Sequence, residues 1–347
     1  MNLLFKTIFH TAVLTIISLY AIAQNKDALP DLIKQGVQLN DQGKYAEAIA
    51  KYDEALKIDP ENVQANYEMG FSLFVSGKGD EGIPYVEKTI KGATGNPSLT
   101  AASYDLLGSI YDQGHKSDQA IEAYKKGIEV NPKYQRLYFN LGIAYFRNKQ
   151  FAEAETSAIE AIKLDPKHAS SQRLYALVTF HQNKRVNALL GFCSFILLEP
   201  STPRTAEAYN NIQHILQGGV LKDANGRNTI ILSPKGNQEN ETLNMSISMI
   251  VLSAQTKKLT GMALLEYELK SIFTIAEELS EKKTDQSFFD KFFVGYFYKL
   301  AKSDNMPAFT QFVSLSANKD ANTKWMSDNE QLVKNLDNWM VVTPRDF

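Results

Sequence analysis

QRLYFNLGIAYFRNKQFAEAETSAIEAIKLDPKH, residues 135–168, decides the fold. Apolar residues recur at helical spacing through Leu137, Leu141, Ala144 and Tyr145, then again through Phe151, Ala154, Ala158, Ala161 and Ile162. That periodicity predicts two amphipathic helices. Arg147 to Gln150 breaks the pattern once, and Pro166 ends it, because the residue before a proline is pushed out of the helical region. Gly142 and Ala154 are small where the two helices would touch. A single helix pair of this kind cannot bury its own apolar face, so it needs neighbours of the same design.

The chain supplies them. Gly36, Gly70, Gly108 and Gly142 are 34, 38 and 34 residues apart, and Ala176 follows 34 later. Pro132, Pro166 and Pro200 keep the same step, with Pro60 closing an earlier pair, and each follows Asp59, Asn131, Asp165 or Glu199. Leu141-Gly142, Tyr145, Phe151, Ala154, Ala158, Ala161 and Pro166 are spaced as in one unit of the tetratricopeptide repeat (TPR) family, which the chain resembles over residues 29–202. The resemblance implies a mainly all-α fold, an α-solenoid of about five helix-turn-helix units, and a non-catalytic scaffold that binds protein. Tyr52, Tyr124 and Phe192 are expected to face the next unit as core. The second unit is four residues longer through Gly92 to Pro97, which predicts a longer loop before the third. The fifth unit lacks the glycine and the aromatic turn, the mark of a unit packed against something different.

After Thr202 the period is expected to stop, leaving a compact helical lobe over residues 203–347. Thr205 to Gln217 reads as an amphipathic helix, and Asn225-Gly226 between two short apolar runs reads as a β-hairpin. Further helices are predicted over residues 242–257, 261–281, 286–301, 306–316 and 323–339.

A 347-residue chain with 44% hydrophobic and 11% aromatic residues can build a sizeable core. Its formal charge of −2 offers no polybasic field for nucleic acid. Residues 1–23 read as a signal peptide: Lys6, an apolar run from Ile8 to Ile22, and a small-x-small site at Ala21-Ile22-Ala23 before Gln24. The expectation is export across the inner membrane to the periplasm without insertion after cleavage; the alternative is an anchor through residues 3–23. Cys193 is the single cysteine and sits in an apolar helix, so it reads as a buried small hydrophobe.

Gly77-Lys78-Gly79-Asp80-Glu81-Gly82 matches the dinucleotide-binding pattern in letters, but lies between two repeat helices rather than after a strand. Asp223, Asn225 and Asn228 around Gly226 fail the calcium-loop spacing. No two histidines stand at ligand spacing, and neither a nucleophile elbow nor a P-loop occurs. No catalytic residue, cofactor or metal site is assigned. Two sequons, at Asn240 and Asn244, matter only in a glycosylating pathway.

In the resembled family the first helices of successive units line a groove. Carried over by position, that groove holds Tyr67, Phe71 and Phe74 from the second unit, Asp105 and Asp112 from the third, Arg136, Phe139 and Arg147 from the fourth, and Arg173 from the fifth. The aromatics are expected to grip a partner protein or peptide, with the charges exposed at the rim. The alternatives are an assembly subunit whose groove is filled by its own lobe or by a second copy, as in a homo-oligomer, and an enzyme whose site lies in the lobe. Ile33 and Val37 replace the polar residues with which one family subtype grips a peptide carboxylate.

Overall fold

The computed structural model describes residues 28–217, 220–222, 228–230 and 238–345. The leader-like residues 1–23 and the Asn225-Gly226 turn lie outside the described residues. The chain divides into two compact units, Met1–Ala144 and Tyr145–Phe347.

The N-terminal unit is a succession of helices: α1 (28–41), α2 (Tyr45–Ile58), α3 (Val63–Val75), α4 (Gly79–Gly92), α5 (Pro97–Gln113), α6 (Ser117–Val130) and most of α7 (Gln135–Arg147). The turn inside each pair has one design. Gly43, Gly77 and His115 take left-handed backbone angles, φ +74°, +82° and +57°. The next residue's N–H then reaches back to the helix, Lys44 to Leu39 O, Lys78 to Leu73 O and Lys116 to Tyr111 O, at 2.8–2.9 Å. This closes the helix end with a bond its last carbonyls would otherwise lack. Between pairs, Asp59 and Asn131 sit extended before their prolines at φ −139° and −140°. Each side chain accepts from the N–H two residues on, Glu61 and Lys133, at 3.2 Å.

The expected long loop after the second repeat does not form. Residues 93–96 make a connection as short as residues 59–62 and 131–134. The four extra residues instead lengthen α5 to 17 residues, against 13 in α3. Pro97 stands at the helix start and the Asn96 side chain accepts from Leu99 N–H at 3.1 Å, a cap and a first residue that both favour helix.

Close approach accounts for the small residues. A methyl group on Gly36 or Gly108 would overlap the rings of Tyr52 or Tyr124. These tyrosines therefore fold back onto the glycine of their own repeat, where the sequence suggested they faced the next one. In the second repeat α3 and α4 meet at Gly70 and Gly82, where an added Cβ would lie 2.9 Å from Gly70 O, and Val86 takes the tyrosine's place. Two glycines of the dinucleotide-like pattern are thus a turn residue, Gly77, and a helix-crossing residue, Gly82.

The C-terminal unit continues the repeat design with α8 (Phe151–Leu164), α9 (Ala169–His181), α10 (Arg185–Leu198) and α11 (Pro203–Gln217). Lys149 and Asn183 take the left-handed turn position at φ +60° and +58°. Helix α11 starts 34 residues after α9, so the period runs one helix past Thr202. Helix α10 is buried on every side from Val186 to Ile196, including the free Cys193. Its sequence is apolar all round, which is the composition of a central helix. Strands β1 (Val220–Lys222) and β2 (Asn228–Ile230) pair antiparallel, Val220 opposite Ile230, as a hairpin requires.

Against α10 pack α12 (Gln238–Thr256), a π-helical turn (Asp290–Val294) running into α14 (Gly295–Ala301), and α15 (Met306–Val313), while α13 (Gly261–Ser280) packs on α12, α14, α15 and the π-turn. Asn244 of the second sequon is buried: its side chain accepts from Arg185 N–H at 3.0 Å and donates to Asn183 O at 2.7 Å, so it holds α12 to the start of α10. The helix predicted over 323–339 is two, α16 (Lys319–Asp328) and α17 (Glu330–Val342), separated by Asn329 at φ −127°, ψ 39°. The Asn329 side chain donates to Trp325 O at 2.8 Å and competes with the backbone ladder there.

Candidate functional site

On α3, Tyr67, Phe71 and Phe74 follow at i, i+4 and i+7 and form one row along the helix. All three are half-buried against a cluster of Val86, Leu106, Leu107, Ile110 and Ala123. The opposite face of α3 is fully buried through Ala65, Met69 and Leu73. Each ring in the row therefore has one side seated on the core and part of its surface in solvent.

Beside the row stands a polar cluster built from α5 and the start of α7. Asp105 is fully buried, 0% exposed, whereas the Arg136 side chain is 57% exposed. Arg136 Nε donates to Asp105 Oδ2 at 2.6 Å, and Asn140 Nδ2 donates to Oδ1 at 2.7 Å. Burial raises the Asp105 carboxyl above the usual range, and Arg136 and Asn140 oppose that rise. The Tyr67 phenol is pushed up to about 12 by burial, with Tyr134 adding to the rise and Arg136 opposing it. Tyr67, Asp105, Tyr134 and Arg136 thus sense one another across three helices.

Asp105 therefore does not sit at an exposed rim, as its repeat position suggested. Helix α5 turns it inward, and it fixes the guanidinium of Arg136 from below. Asp112 and Phe139 are half-buried. Tyr134 and Asn140 are the members of the cluster that sequence reasoning missed. The signal for Asn140 was present, since it stands four residues after Arg136 and shares its helix face.

Arg147 and Arg173 fall in the C-terminal unit. Arg147 is exposed. Arg173 Nη2 donates to Glu207 Oε2 on α11 at 2.5 Å, and Phe180 lies edge-on to His214 at 5.8 Å between ring centres. In the fifth repeat the chain's own next helix thus meets groove positions that the sequence left open.

The C-terminal unit holds a cavity of about 620 Å³ lined by Leu243, Ala276, Leu279 and Phe289, with Lys282, Lys283 and Asp290 at its polar side. Lys283 Nζ donates to Asp290 Oδ1 at 2.6 Å, and Ser287 fills Oδ2 through its N–H and its hydroxyl at 2.9 and 2.6 Å. Burial works against the Asp290 charge, but Lys283 and Ser287 hold the carboxyl below its usual range. Its acid and base are already committed to each other. Among the described residues no group of three or more His, Cys, Asp or Glu is placed to hold a metal ion, and no helix is long and apolar enough to cross a membrane.

The helix pairs, their 34-residue step and their proline-closed turns agree with family comparison. A TPR repeat model matches residues 36–77 and 108–149, and a tetratricopeptide repeat model matches residues 135–168. This segment is a run of tetratricopeptide repeats. The chain is 31% identical to human tetratricopeptide repeat protein 6 over 137 residues, 39% of this chain and 25% of that protein. It is 26% identical to the Hsp70-Hsp90 organising protein of Plasmodium falciparum over 133 residues, 38% of this chain and 51% of that protein. These TPR matches span a quarter to about half of the relatives' own length. Among solved structures, YrrB, a TPR protein with an unusual peptide-binding site, aligns with 55% of this chain and 97% of its own at 21% identity and a TM-score of 0.44.

Proposed function

We propose that this TPR protein is a non-catalytic interaction scaffold of the cell envelope that takes an extended peptide along α3, α5 and the start of α7. TPR segments are scaffolds for contact with other proteins, and the residues here suggest what kind of segment is taken. The observation that carries the reading is the row of Tyr67, Phe71 and Phe74, half in solvent, next to an exposed guanidinium that a buried carboxylate holds in place. Large aromatic side chains contribute most of an interface's energy when a partner covers them. A fixed arginine selects an acidic group in the partner, since its planar fork matches a carboxylate. The favoured ligand is therefore an extended segment with apolar side chains and an aspartate or glutamate placed to meet Arg136.

Selection of peptides from a random library on the intact protein tests this. Selected peptides are expected to share apolar residues and one acidic residue. They should bind Phe74→Ala and Arg136→Ala at least about tenfold more weakly than the unsubstituted protein, measured well below the lowered unfolding midpoints that the core contact of Phe74 and the Arg136–Asp105 pair lead one to expect. Full affinity in both variants would place the binding surface elsewhere. The envelope location rests on the leader-like opening. Cleavage of that opening predicts that exported protein begins at Gln24 by intact mass, and a membrane-bound species retaining residues 1–23 would contradict the cleavage and favour the anchor through residues 3–23.

A further inference from the structure

After α17 the chain runs through Thr343, Pro344 and Arg345 without regular structure. Arg345 turns its guanidinium into a nest of rings on the π-turn and α14. Its Cζ lies 3.9 Å from the ring centre of Tyr296, 4.8 Å from Phe292, 5.7 Å from Phe297 and 5.9 Å from Phe293. Trp339 closes on Tyr296 from α17, with ring centres 4.9 Å apart.

The origin of the nest is local. Ser287 and Asp290 cap the helix start reciprocally, Ser287 N–H to Asp290 Oδ2 at 2.9 Å and Asp290 N–H to Ser287 Oγ at 3.3 Å. The following turn is widened, Gly295 N–H reaching Asp290 O, and it sends Phe292, Phe293, Tyr296 and Phe297 toward the same guanidinium. Single π turns inside α-helices are frequent at functional sites.

A plug that only filled this space would be apolar. Nη1 of Arg345 is buried with no hydrogen-bond acceptor, a loss that an apolar side chain would not incur. What answers the charge is the electron-rich face of the rings, which attracts a flat cation and does nothing for an apolar group, together with a hydrogen bond between the guanidinium and the Tyr296 side chain. Burial lowers the Arg345 pKa to about 10, so the group is still a cation at neutral pH. The pocket's chemistry is thus that of guanidinium recognition, and a short irregular segment supplies the guanidinium.

We propose that the Phe292, Phe293, Tyr296 and Phe297 pocket is a binding site for an arginine side chain on a partner peptide, and that Arg345 occupies it in cis as a stand-in. Arginine is preferred over lysine because its planar group stacks on rings and is less strongly hydrated. Occupation in cis lowers the apparent affinity for a partner by the fraction of molecules in which the pocket is vacant. This site is independent of the groove in the N-terminal unit.

The test uses the full chain with Arg345→Ala and, as probe, a synthetic acetylated peptide with the sequence of Val341–Phe347, added in trans and followed by titration calorimetry. The arginine peptide should bind Arg345→Ala, and bind the unsubstituted protein at least about tenfold more weakly because the cis arginine competes. The same peptide with alanine in place of arginine should bind neither protein, and with lysine should bind more weakly than with arginine. A folded Arg345→Ala that gives no heat with the arginine peptide, or that binds arginine and alanine peptides alike, overturns the proposal. Should Arg345→Ala not fold, Arg345→Lys takes its place: the arginine peptide must then bind it more tightly than it binds the unsubstituted protein, and equal or absent binding overturns the proposal.

Discussion

Asp105 shows how much one residue's role depends on where its helix points it. As an exposed charge at the edge of a groove it would affect partner binding mildly and in a salt-dependent way, and would leave stability alone. Enclosed at 0% exposure, with bonds of 2.6 and 2.7 Å to Arg136 and Asn140, it ties α5 to α7. Asp105→Ala is expected to lower the unfolding free energy by about 1–2 kcal/mol, because Asn140 loses its acceptor while the exposed part of Arg136 stays hydrated. Urea unfolding at low and high salt checks this, and an unchanged midpoint would mean the pair contributes nothing to the fold. Gly108 is the opposite case. Its small size was legible from the repeat, and the Tyr124 ring that would overlap an added methyl supplies the reason.

Elements show where local patterns were sufficient and where they were not. Helix starts and stops followed the prolines and the left-handed turn residues, since both act within a few bonds of themselves. The longer second repeat was legible as four extra residues, but their place was not. Asn96 and Pro97 favour a helix start, and α4 had already ended, so the insertion became a helical turn. In α13 the buried row Leu265, Leu269 and Ile272 also contains Glu268, which is 7% exposed. Burial raises its carboxyl to about 7 from 4.5. A folded pKa above the unfolded one means that the folded chain holds the proton longer. The group's contribution is therefore fully present below pH 4.5 and is lost as pH rises through about 7. Glu268→Gln should then gain about 1–2 kcal/mol at pH 8, after allowance for solvent screening, and nothing near pH 4. Thermal unfolding of both proteins across that range decides it, and a gain independent of pH would assign the effect to packing.

For the molecule as a whole, the sequence by itself determined the repeats, their period, their turns and the pairing of each first helix with its second. Those features rest on backbone angles and on contacts between residues less than one repeat apart, so a pattern along the chain contains them. The groove residues were legible as positions, because repeat geometry assigns Tyr67, Phe71 and Phe74 to one helix row whatever surrounds them. Only the tertiary structure decided which groove charges are buried, as for Asp105, and which are taken by another helix of the same unit, as Arg173 is by Glu207. It also divides the chain into two compact units at Ala144, inside α7. The apolar α10 signalled a central helix, yet its cover comes from α12, the π-turn and α15, with partners such as Asn244 more than fifty residues away along the chain. No local period encodes contacts of that separation. They depend on which surfaces remain unburied once the helices have formed, and that is settled only when the whole unit packs.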